Sequence, residues 1–162
     1  MELFSSDTSS RTATAPNAPM LVDTNIWIGV ENQEIAKAAV LAAIEPHELV
    51  TSPVVLGELK LGVELAQNAL TRQARQIGLN IVMKHRLLEH NIEVALRYGI
   101  LCAHVRQSGA VRQRSNDLWL AAAAHVHKAS ILTLNPRDFD DLPGLKVHAL
   151  QRVSKTVSIK RS

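Results

Sequence analysis

The stretch MLVDTN at residues 20–25 decides the fold, because a short apolar run ends there on an acidic residue. Three consecutive apolar residues, Met20 to Val22, are typical of a strand that is buried on both faces. Asp23 follows directly, at the carboxyl end of that strand. Ligands of open α/β sheets bind beyond the carboxyl ends of the strands, so Asp23 is placed for a site, although a strand-end Asp is also a common turn residue.

Strand-like and helix-like segments alternate along the rest of the chain. After an apolar stretch through Val30, to which no element is assigned, the pattern predicts helices and three further strands. Strands alternating with helices imply a parallel sheet covered by helices on both faces. The predicted strands are 49–51, 131–133 and 146–148, and the predicted helices are about 34–44, a run starting at 53, 70–84, 92–107 and 117–128.

Capping residues mark several of these helix ends. Ser52 and Pro53 suit an N-cap and a first helical position, because the serine oxygen accepts an orphan amide and proline needs no donor there. Gly109 suits the left-handed position after a helix. Ser115 and Asn116 are predicted to cap the helix that begins at Asp117.

Composition fits one domain with an aliphatic core. A chain of 162 residues can bury a sizeable core, and only 3% of its residues are aromatic. That scarcity argues against base recognition on a platform of exposed rings, so Trp119 is interpreted as packing rather than base stacking. The single cysteine, Cys102, excludes an internal disulfide and is interpreted as a small core residue.

The chain divides into a domain with two extensions. Residues 1–19 are rich in Ser, Thr, Ala and Pro and are expected to be a disordered extension, 20–150 the domain, and 151–162 a basic tail. No segment approaches the ~20 apolar residues that span a bilayer. The N-terminus also lacks the pattern of a secretory signal, so we expect a cytoplasmic protein with no membrane contact.

Basic residues favour an anionic partner. The formal net charge is +3, and basic side chains outnumber acidic ones between Arg72 and Arg114. These residues either form solvated helix faces or bind a phosphate backbone. Arg112 and Arg114 lie just before Asp117, and we expect them to contact substrate phosphates.

Two further acids gain meaning in combination with Asp23. Glu58 lies in an apolar helical run, where an acid either binds a cation or faces solvent beside Lys60 and Glu64. Asp117 stands at a helix start, where acids are common for structural reasons alone. Brought together by the fold, the three carboxylates would form an all-oxygen site suited to Mg²⁺ or Mn²⁺, which can activate water and neutralise phosphate charge in phosphodiester cleavage.

Other α/β chemistries lack their motifs in this chain. There is no Walker loop, no G-x-G-x-x-G after a strand and no G-x-S-x-G elbow. A D-x-D phosphatase needs an acid at position 25, which is Asn25.

Four segments in order resemble the PIN-domain family, and the resemblance covers about residues 20–150. LVDTN at 21–25 is similar to the family's opening motif, and SPVVLGEL at 52–59 with Gly62 to its second acidic motif. Gly109 with NDLWLAA at 116–122 is similar to the third, and TLNPRDF at 133–139 with LPGL at 142–145 to the closing strand and turn.

This resemblance implies a three-layer α/β/α fold with a mainly parallel central sheet. It also implies that Asp23, Glu58 and Asp117 hold Mg²⁺ or Mn²⁺ in a metal-dependent endoribonuclease that hydrolyses RNA. The VapC-type members are toxins neutralised by a small VapB-like antitoxin, and they imply a homodimer. The alternatives are a PIN nuclease that processes RNA without an antitoxin, or a catalytically silent PIN module that binds RNA or protein.

The resemblance is imperfect at the fourth acidic position, which is Asn135 here. Asn135 can hold a water or ligand by hydrogen bonds but adds no charge. Asp138 either substitutes for the missing acid or serves the turn, and we favour the turn. Thr24 and Asn25 are expected to orient the first carboxylate and its water shell, or else to satisfy backbone groups in the turn.

Overall fold

The structure, a computed structural model, describes residues 17–106 and 114–153 and is built on a parallel sheet. Within those residues the sheet has five strands in the order β3-β2-β1-β4-β5, and every pairing is parallel. The predicted parallel sheet is therefore confirmed. The strands are β1 (Pro19–Val22), β2 (Glu48–Thr51), β3 (Arg86–Leu87), β4 (Ser130–Thr133) and β5 (Val147–Ala149).

The strand order places β1 and β4 side by side at the centre of the sheet. From β1 the chain moves outward through β2 to β3, and it then returns beside β1 to form β4 and β5. Such a reversal of direction is the switch point of a doubly wound sheet, where a crevice opens beyond the strand ends. Asp23 follows β1 at this point, and its backbone N–H donates to Leu132 O at 2.9 Å.

Six helices are described around the sheet. The predicted helices are all present, with ends that differ from the predicted ones by at most three residues, whereas α1 and β3 were not predicted. The first consists of almost uninterrupted apolar residues, and β3 is two exposed residues with no apolar run. The helices are α1 (Thr24–Glu31), α2 (Lys37–Ile44), α3 (Pro53–Glu64), α4 (Ala69–Val82), α5 (Ile92–Val105) and α6 (Ser115–Val126).

The core lies on both faces of the sheet. Leu21 and Ile131 point into one apolar cluster with residues of α3, α5 and α6. Met20, Val22 and Leu132 alternate to the other face and meet residues of α1 and α2. This alternation gives the expected α/β/α layering, with the central strands β1 and β4 buried on both faces.

The capping predictions have mixed outcomes. Ser52 caps α3 as predicted, because its Oγ accepts from Val55 N at 3.4 Å. The prediction for Ser115 and Asn116 is wrong, because both lie inside α6 and Arg114 occupies the N-cap without a side-chain cap bond. Ser115 instead shares a hydrogen bond of 3.2 Å with the Tyr98 hydroxyl. Gly109 lies outside the described residues.

Trp119 packs inside the structure. Its ring stacks on Tyr98 at a centroid distance of 4.0 Å and on His90 at 5.3 Å. Two other rings of the chain therefore stack on the indole. Cys102 is partly buried against the larger apolar cluster, as interpreted from the sequence. In the described part of the chain, no helix combines the length and apolarity that crossing a bilayer requires.

Candidate functional site

Asp23 is a buried carboxylate held by side chains from two strand ends. It is only 6% exposed. Its Oδ2 accepts from the Thr133 hydroxyl at 2.7 Å and from Asn25 Nδ2 at 2.7 Å. The Oδ1 atom of Asn25 also accepts a hydrogen bond from the backbone N–H of Leu134. The four residues Asp23, Asn25, Thr133 and Leu134 thus fix the carboxylate where β1 and β4 end.

Burial dominates the electrostatics of Asp23. Loss of solvent, together with the negative charge of Glu58, raises the pKa of Asp23 although the Thr133 hydrogen bond opposes that rise. Asp23 is buried because it directly follows three buried strand residues, Met20 to Val22. A charged Asp23 therefore needs compensation from a donor or a cation.

Glu58 projects from α3 toward the same place rather than facing solvent with Lys60. Its Oε2 accepts from the Thr24 hydroxyl at 2.5 Å, and its Oε1 accepts from Asn116 Nδ2 at 2.6 Å. Lys60 instead pairs with Glu64 at 2.6 Å on the exposed side of the helix. Both carboxylate oxygens of Glu58 are therefore held by donors from other helices.

Asp117, in the first turn of α6, completes the group. Burial raises the pKa of Asp117 to about 7, with the negative charges of Asp138, Asp23 and Glu58 adding to the effect and Arg114 opposing it. Asp117 therefore lies close enough to three other carboxylates for their charges to act on it. We call this set, Asp23, Glu58, Asp117 and Asp138, the acidic edge.

Asn135 and Asp138 occupy a short 3₁₀ helix, Pro136–Asp138, and the residue before it. Asn135 joins the network through its backbone N–H, which donates to the Thr133 hydroxyl at 3.0 Å. Asp138 donates its own N–H to Asn135 O, as expected of a turn residue. Its charge nevertheless acts on Asp117 more than that of any other acid, so the turn brings a fourth carboxylate to the site.

Arg114 has different partners from the phosphates expected for it. Its guanidinium donates to both carboxylate oxygens of Asp141, at 2.8 and 2.7 Å, and to Asp138 O. The side chain is only 15% exposed, so this ion pair ties the start of α6 to the turn that carries Asp138. Contact with RNA would require the pair to open. Arg112 lies outside the described residues, and its RNA contact remains a prediction.

The donor set fits a hard divalent cation. All the groups are oxygens, and among the described residues Arg114 is the cation that offsets the burial and the negative charges raising the pKa of Asp117. Across residues 17–106 and 114–153, no three acidic, histidine or cysteine side chains are already arranged to hold a metal ion by themselves. Mg²⁺ commonly keeps several waters and takes one or two carboxylates directly, so it does not require such a ready-made cage.

Comparison with known proteins assigns this arrangement to a family. The PIN domain profile matches residues 20–145, which include every residue of the acidic edge. The chain belongs to the PIN-domain family. This PIN domain is 32% identical over 132 residues to ribonuclease VapC5 of Mycobacterium tuberculosis, an alignment that covers 82% of this chain and 93% of the relative.

Solved structures share the fold. The VapBC-5 toxin–antitoxin structure from Mycobacterium tuberculosis matches this PIN domain with a TM-score of 0.63 and 29% identity, over 83% of this chain and 98% of that one. The VapBC2 structure from Rickettsia felis, bound to a promoter DNA fragment, matches with a TM-score of 0.68 and 23% identity, over 81% and 98%. At 23% identity the second match supports the fold alone.

Two residues of the site were missed from the sequence. The sequence places Thr133 in a strand and in the closing motif but assigns it no role at the site; its position at the end of β4, beside the strand end that carries Asp23, is the available signal. Asn116 was interpreted as a cap, and nothing local distinguishes a cap from a donor to Glu58. Both depend on the strand order and helix packing of this PIN domain.

Proposed function

We propose that this PIN domain is a divalent-metal-dependent endoribonuclease, the toxin of a VapBC-type toxin–antitoxin pair. The observation that carries the proposal is the convergence of Asp23, Glu58 and Asp117 at the switch point between β1 and β4. The ribonuclease named among its relatives, with nearly full-length alignment, supports the same conclusion. A module that only bound RNA would gain nothing from clustered acids, which repel phosphates.

The chain's own residues would divide the work. Asp23, Glu58 and Asp117 would hold Mg²⁺ or Mn²⁺, with Asp138 adding negative charge beside Asp117. When bound, the ion neutralises phosphate charge and makes a water molecule more acidic and hence nucleophilic. Asn25 orients the Asp23 carboxylate through its 2.7 Å hydrogen bond, and Asn135 donates its backbone N–H to the Thr133 hydroxyl that holds the same carboxylate.

Cleavage of a structured RNA pool, with Mg²⁺, Mn²⁺ or EDTA, tests this proposal. We expect the wild-type protein to cut RNA with either metal and to stop in EDTA. Asp23→Asn should lower the rate at least a hundredfold, because a ligand charge is lost while both amide and hydroxyl neighbours remain. Asp140→Asn, an exposed acid outside the acidic edge, is the matched control and should cut normally.

Different failures point to different alternatives. RNA binding without cleavage by the folded wild-type protein would favour the silent binding module. Cleavage that persists in Asp23→Asn would contradict the assigned site. Cleavage of many cellular RNAs, with no growth arrest on expression and no small partner encoded beside the gene, would favour a processing nuclease without an antitoxin.

A VapB-like antitoxin is the protein partner that the surface supports. An apolar groove of about 630 Å³ lies between α1, α2, α3 and α4. Its walls include Ile28, Leu41 and Ile81, which are 44%, 51% and 50% exposed. Because Glu58 also lines the groove, a protein segment bound there would cover this residue of the acidic edge. We refer to this surface as the groove.

Two matched isoleucines test the partner proposal. Ile81 and Ile77 both lie on α4 and are about equally exposed, at 50% and 54%, but only Ile81 lines the groove. Ile81→Glu should weaken binding of the proposed VapB-like antitoxin about tenfold or more, because a charge would enter an apolar contact. Ile77→Glu should leave binding unchanged. Equal effects of the two substitutions would exclude the groove as the binding surface.

We also propose that a second copy of the chain packs against α5. Ile92, Leu96 and Ile100 form an exposed stripe along this helix, with exposed fractions of 79%, 67% and 58%. Gly99 adjoins the stripe, and a Cβ placed there would have no neighbour within 4 Å, so nothing within the described chain requires that glycine. A close helix–helix approach would use it.

Charge on α5 supports an antiparallel pairing. Glu93 and Arg97 lie one turn apart on the same flank of the stripe, so a two-fold axis near Leu96 would bring each against the other in the second copy. Leu96→Glu should convert a dimer to a monomer in sedimentation analysis. Leu61→Glu, at a leucine of α3 that is 56% exposed, should not. A dimer that survives Leu96→Glu would contradict this interface.

A further inference from the structure

Asn116 bridges the two helices that carry the predicted helical ligands. Its Nδ2 donates to Glu58 Oε1 at 2.6 Å, a short distance typical of a hydrogen bond to a charged acceptor. Among the described residues, no other side-chain hydrogen bond joins α3 to α6. Asn116 itself is solvent-exposed, so no packing requirement explains the contact.

The bridge opposes an electrostatic force. Asn116 holds Glu58 and is followed directly by Asp117, so the bridge brings together two carboxylates that repel each other when charged. A glutamate side chain on the surface of a helix has several rotamers available and would turn away from a second carboxylate. Thr24 holds only Oε2, which leaves Oε1 to Asn116.

We propose that Asn116 is a positioning residue that holds the Glu58 carboxylate beside Asp117 before the cation arrives. This inference rests on the proposed function for the identity of the ligand, a divalent cation. It adds a residue that contacts neither RNA nor the reacting atoms. By fixing Glu58 in advance, Asn116 reduces the ordering that cation binding would otherwise require.

Mn²⁺ binding, followed by calorimetry, measures the effect directly. Asn116→Ala should raise the Mn²⁺ dissociation constant about tenfold, the lower end of what loss of a partner to a metal ligand produces. Asn80→Ala is the matched control, since Asn80 is an exposed helical asparagine whose side chain also makes one hydrogen bond, to Gln76. It should bind Mn²⁺ like the wild-type protein. Unchanged affinity in Asn116→Ala would overturn the proposal.

Combination with Glu58→Ala shows whether Asn116 acts through Glu58. In that background Asn116→Ala should have no further effect on Mn²⁺ affinity, because its partner is gone. The same cycle of four proteins, unfolded by urea in EDTA, gives a readout without any metal. Asn116→Ala should lower the urea midpoint when Glu58 is present and leave it unchanged when Glu58 is absent.

The two readouts separate this inference from the proposed function. A wild-type protein that binds no Mn²⁺ would contradict the proposed cation. The urea midpoints in EDTA would still test whether the Asn116–Glu58 hydrogen bond holds α3 and α6 together. Equal losses of midpoint with and without Glu58 would overturn the role of Asn116, whatever the protein binds.

Discussion

The acidic edge and the groove lie side by side and share Glu58, yet they are built in opposite ways. At the acidic edge, buried or half-buried carboxylates are held by donors from several elements, such as Thr133, Asn25 and Asn116. The groove is lined mainly by aliphatic side chains, several of them about half exposed, including Leu41 and Ile81. The acidic edge concentrates charged groups where water is partly excluded, whereas the groove exposes apolar atoms to water.

The difference teaches how each surface tolerates change. A buried carboxylate depends on particular hydrogen bonds, so loss of one donor leaves an unsatisfied charge. A half-exposed isoleucine makes few contacts within the monomer. Its replacement therefore changes the free energy of unfolding little, and its main effect is on partner binding. We therefore expect substitutions at the acidic edge to change stability and those in the groove to change association.

The largest effect on stability is expected from Thr133→Val. Thr133 is fully buried, donates to Asp23 and accepts from Asn25 and from Asn135 N, and valine has nearly its shape without the hydroxyl. We expect a loss of about 3 kcal/mol in the free energy of unfolding, because buried polar groups lose their partners. Urea unfolding at pH 7 measures it.

Thr51→Val is the control for that prediction. Thr51 ends β2 as Thr133 ends β4, and it is also buried, but within the described residues its hydroxyl has no hydrogen-bond partner. The substitution should be neutral or stabilising. Equal destabilisation by the two valines would show that the hydrogen bonds to Asp23 contribute nothing beyond burial.

A smaller effect is expected from Asp117, and it depends on pH. The folded state raises the pKa of Asp117 to about 7, so it holds a proton that the unfolded chain has lost. The contribution of Asp117 to the free energy of unfolding is therefore fully present below about pH 4. It is lost as the pH rises through the folded-state pKa of about 7. In EDTA at pH 8 we expect the free energy of unfolding of Asp117→Asn to be about 2 kcal/mol higher than that of the wild-type protein. This value is reduced to allow for solvent screening, because Asp117 is partly exposed.

Unfolding in EDTA at pH 5 and pH 8 measures this dependence. The advantage of Asp117→Asn should be smaller at pH 5 than at pH 8, while Asp140→Asn, an exposed neighbour of the turn, should show no such pattern. An advantage that stays constant with pH would mean that Asp117 is destabilising for a reason other than its charge.

The smallest effect on stability is expected in the groove. Ile81→Ser should change the free energy of unfolding by less than about 0.5 kcal/mol, since the side chain is 50% exposed and makes no polar contact. The same variant should lose affinity for the small partner. A loss of stability comparable to that of Thr133→Val would remove the contrast between the two surfaces.

Much of this architecture could be predicted from the sequence because its signals are local. The buried strand before Asp23 and the Ser52 cap each depend on neighbouring residues, and both are confirmed. By contrast, α1 reads as an apolar stretch of uncertain period, and β3 has only two residues. Short or uniformly apolar segments carry too little pattern for sequence reasoning to assign them.

The site divides along the same line. Asp23, Glu58 and Asp117 could be proposed from their places in the chain, and their meeting at the sheet edge followed from the predicted α/β order. The roles of Asn116, Thr133 and the Arg114–Asp141 pair depend on contacts between residues far apart in sequence. The sequence predicts phosphate contact for Arg114 and does not reveal its ion pair, because Asp141 lies 27 residues away.

Stability with and without a divalent cation tests the central claim most directly, that the acidic edge is a cation site. At pH 8, saturating Mn²⁺ should stabilise the wild-type protein against urea by about 2 to 3 kcal/mol relative to EDTA, as expected at roughly a hundredfold excess over the dissociation constant. Asp117→Asn should be the more stable protein in EDTA and should gain little from Mn²⁺. A wild-type protein that Mn²⁺ leaves unchanged, or an Asp117→Asn variant that gains as much as the wild type, would contradict the account.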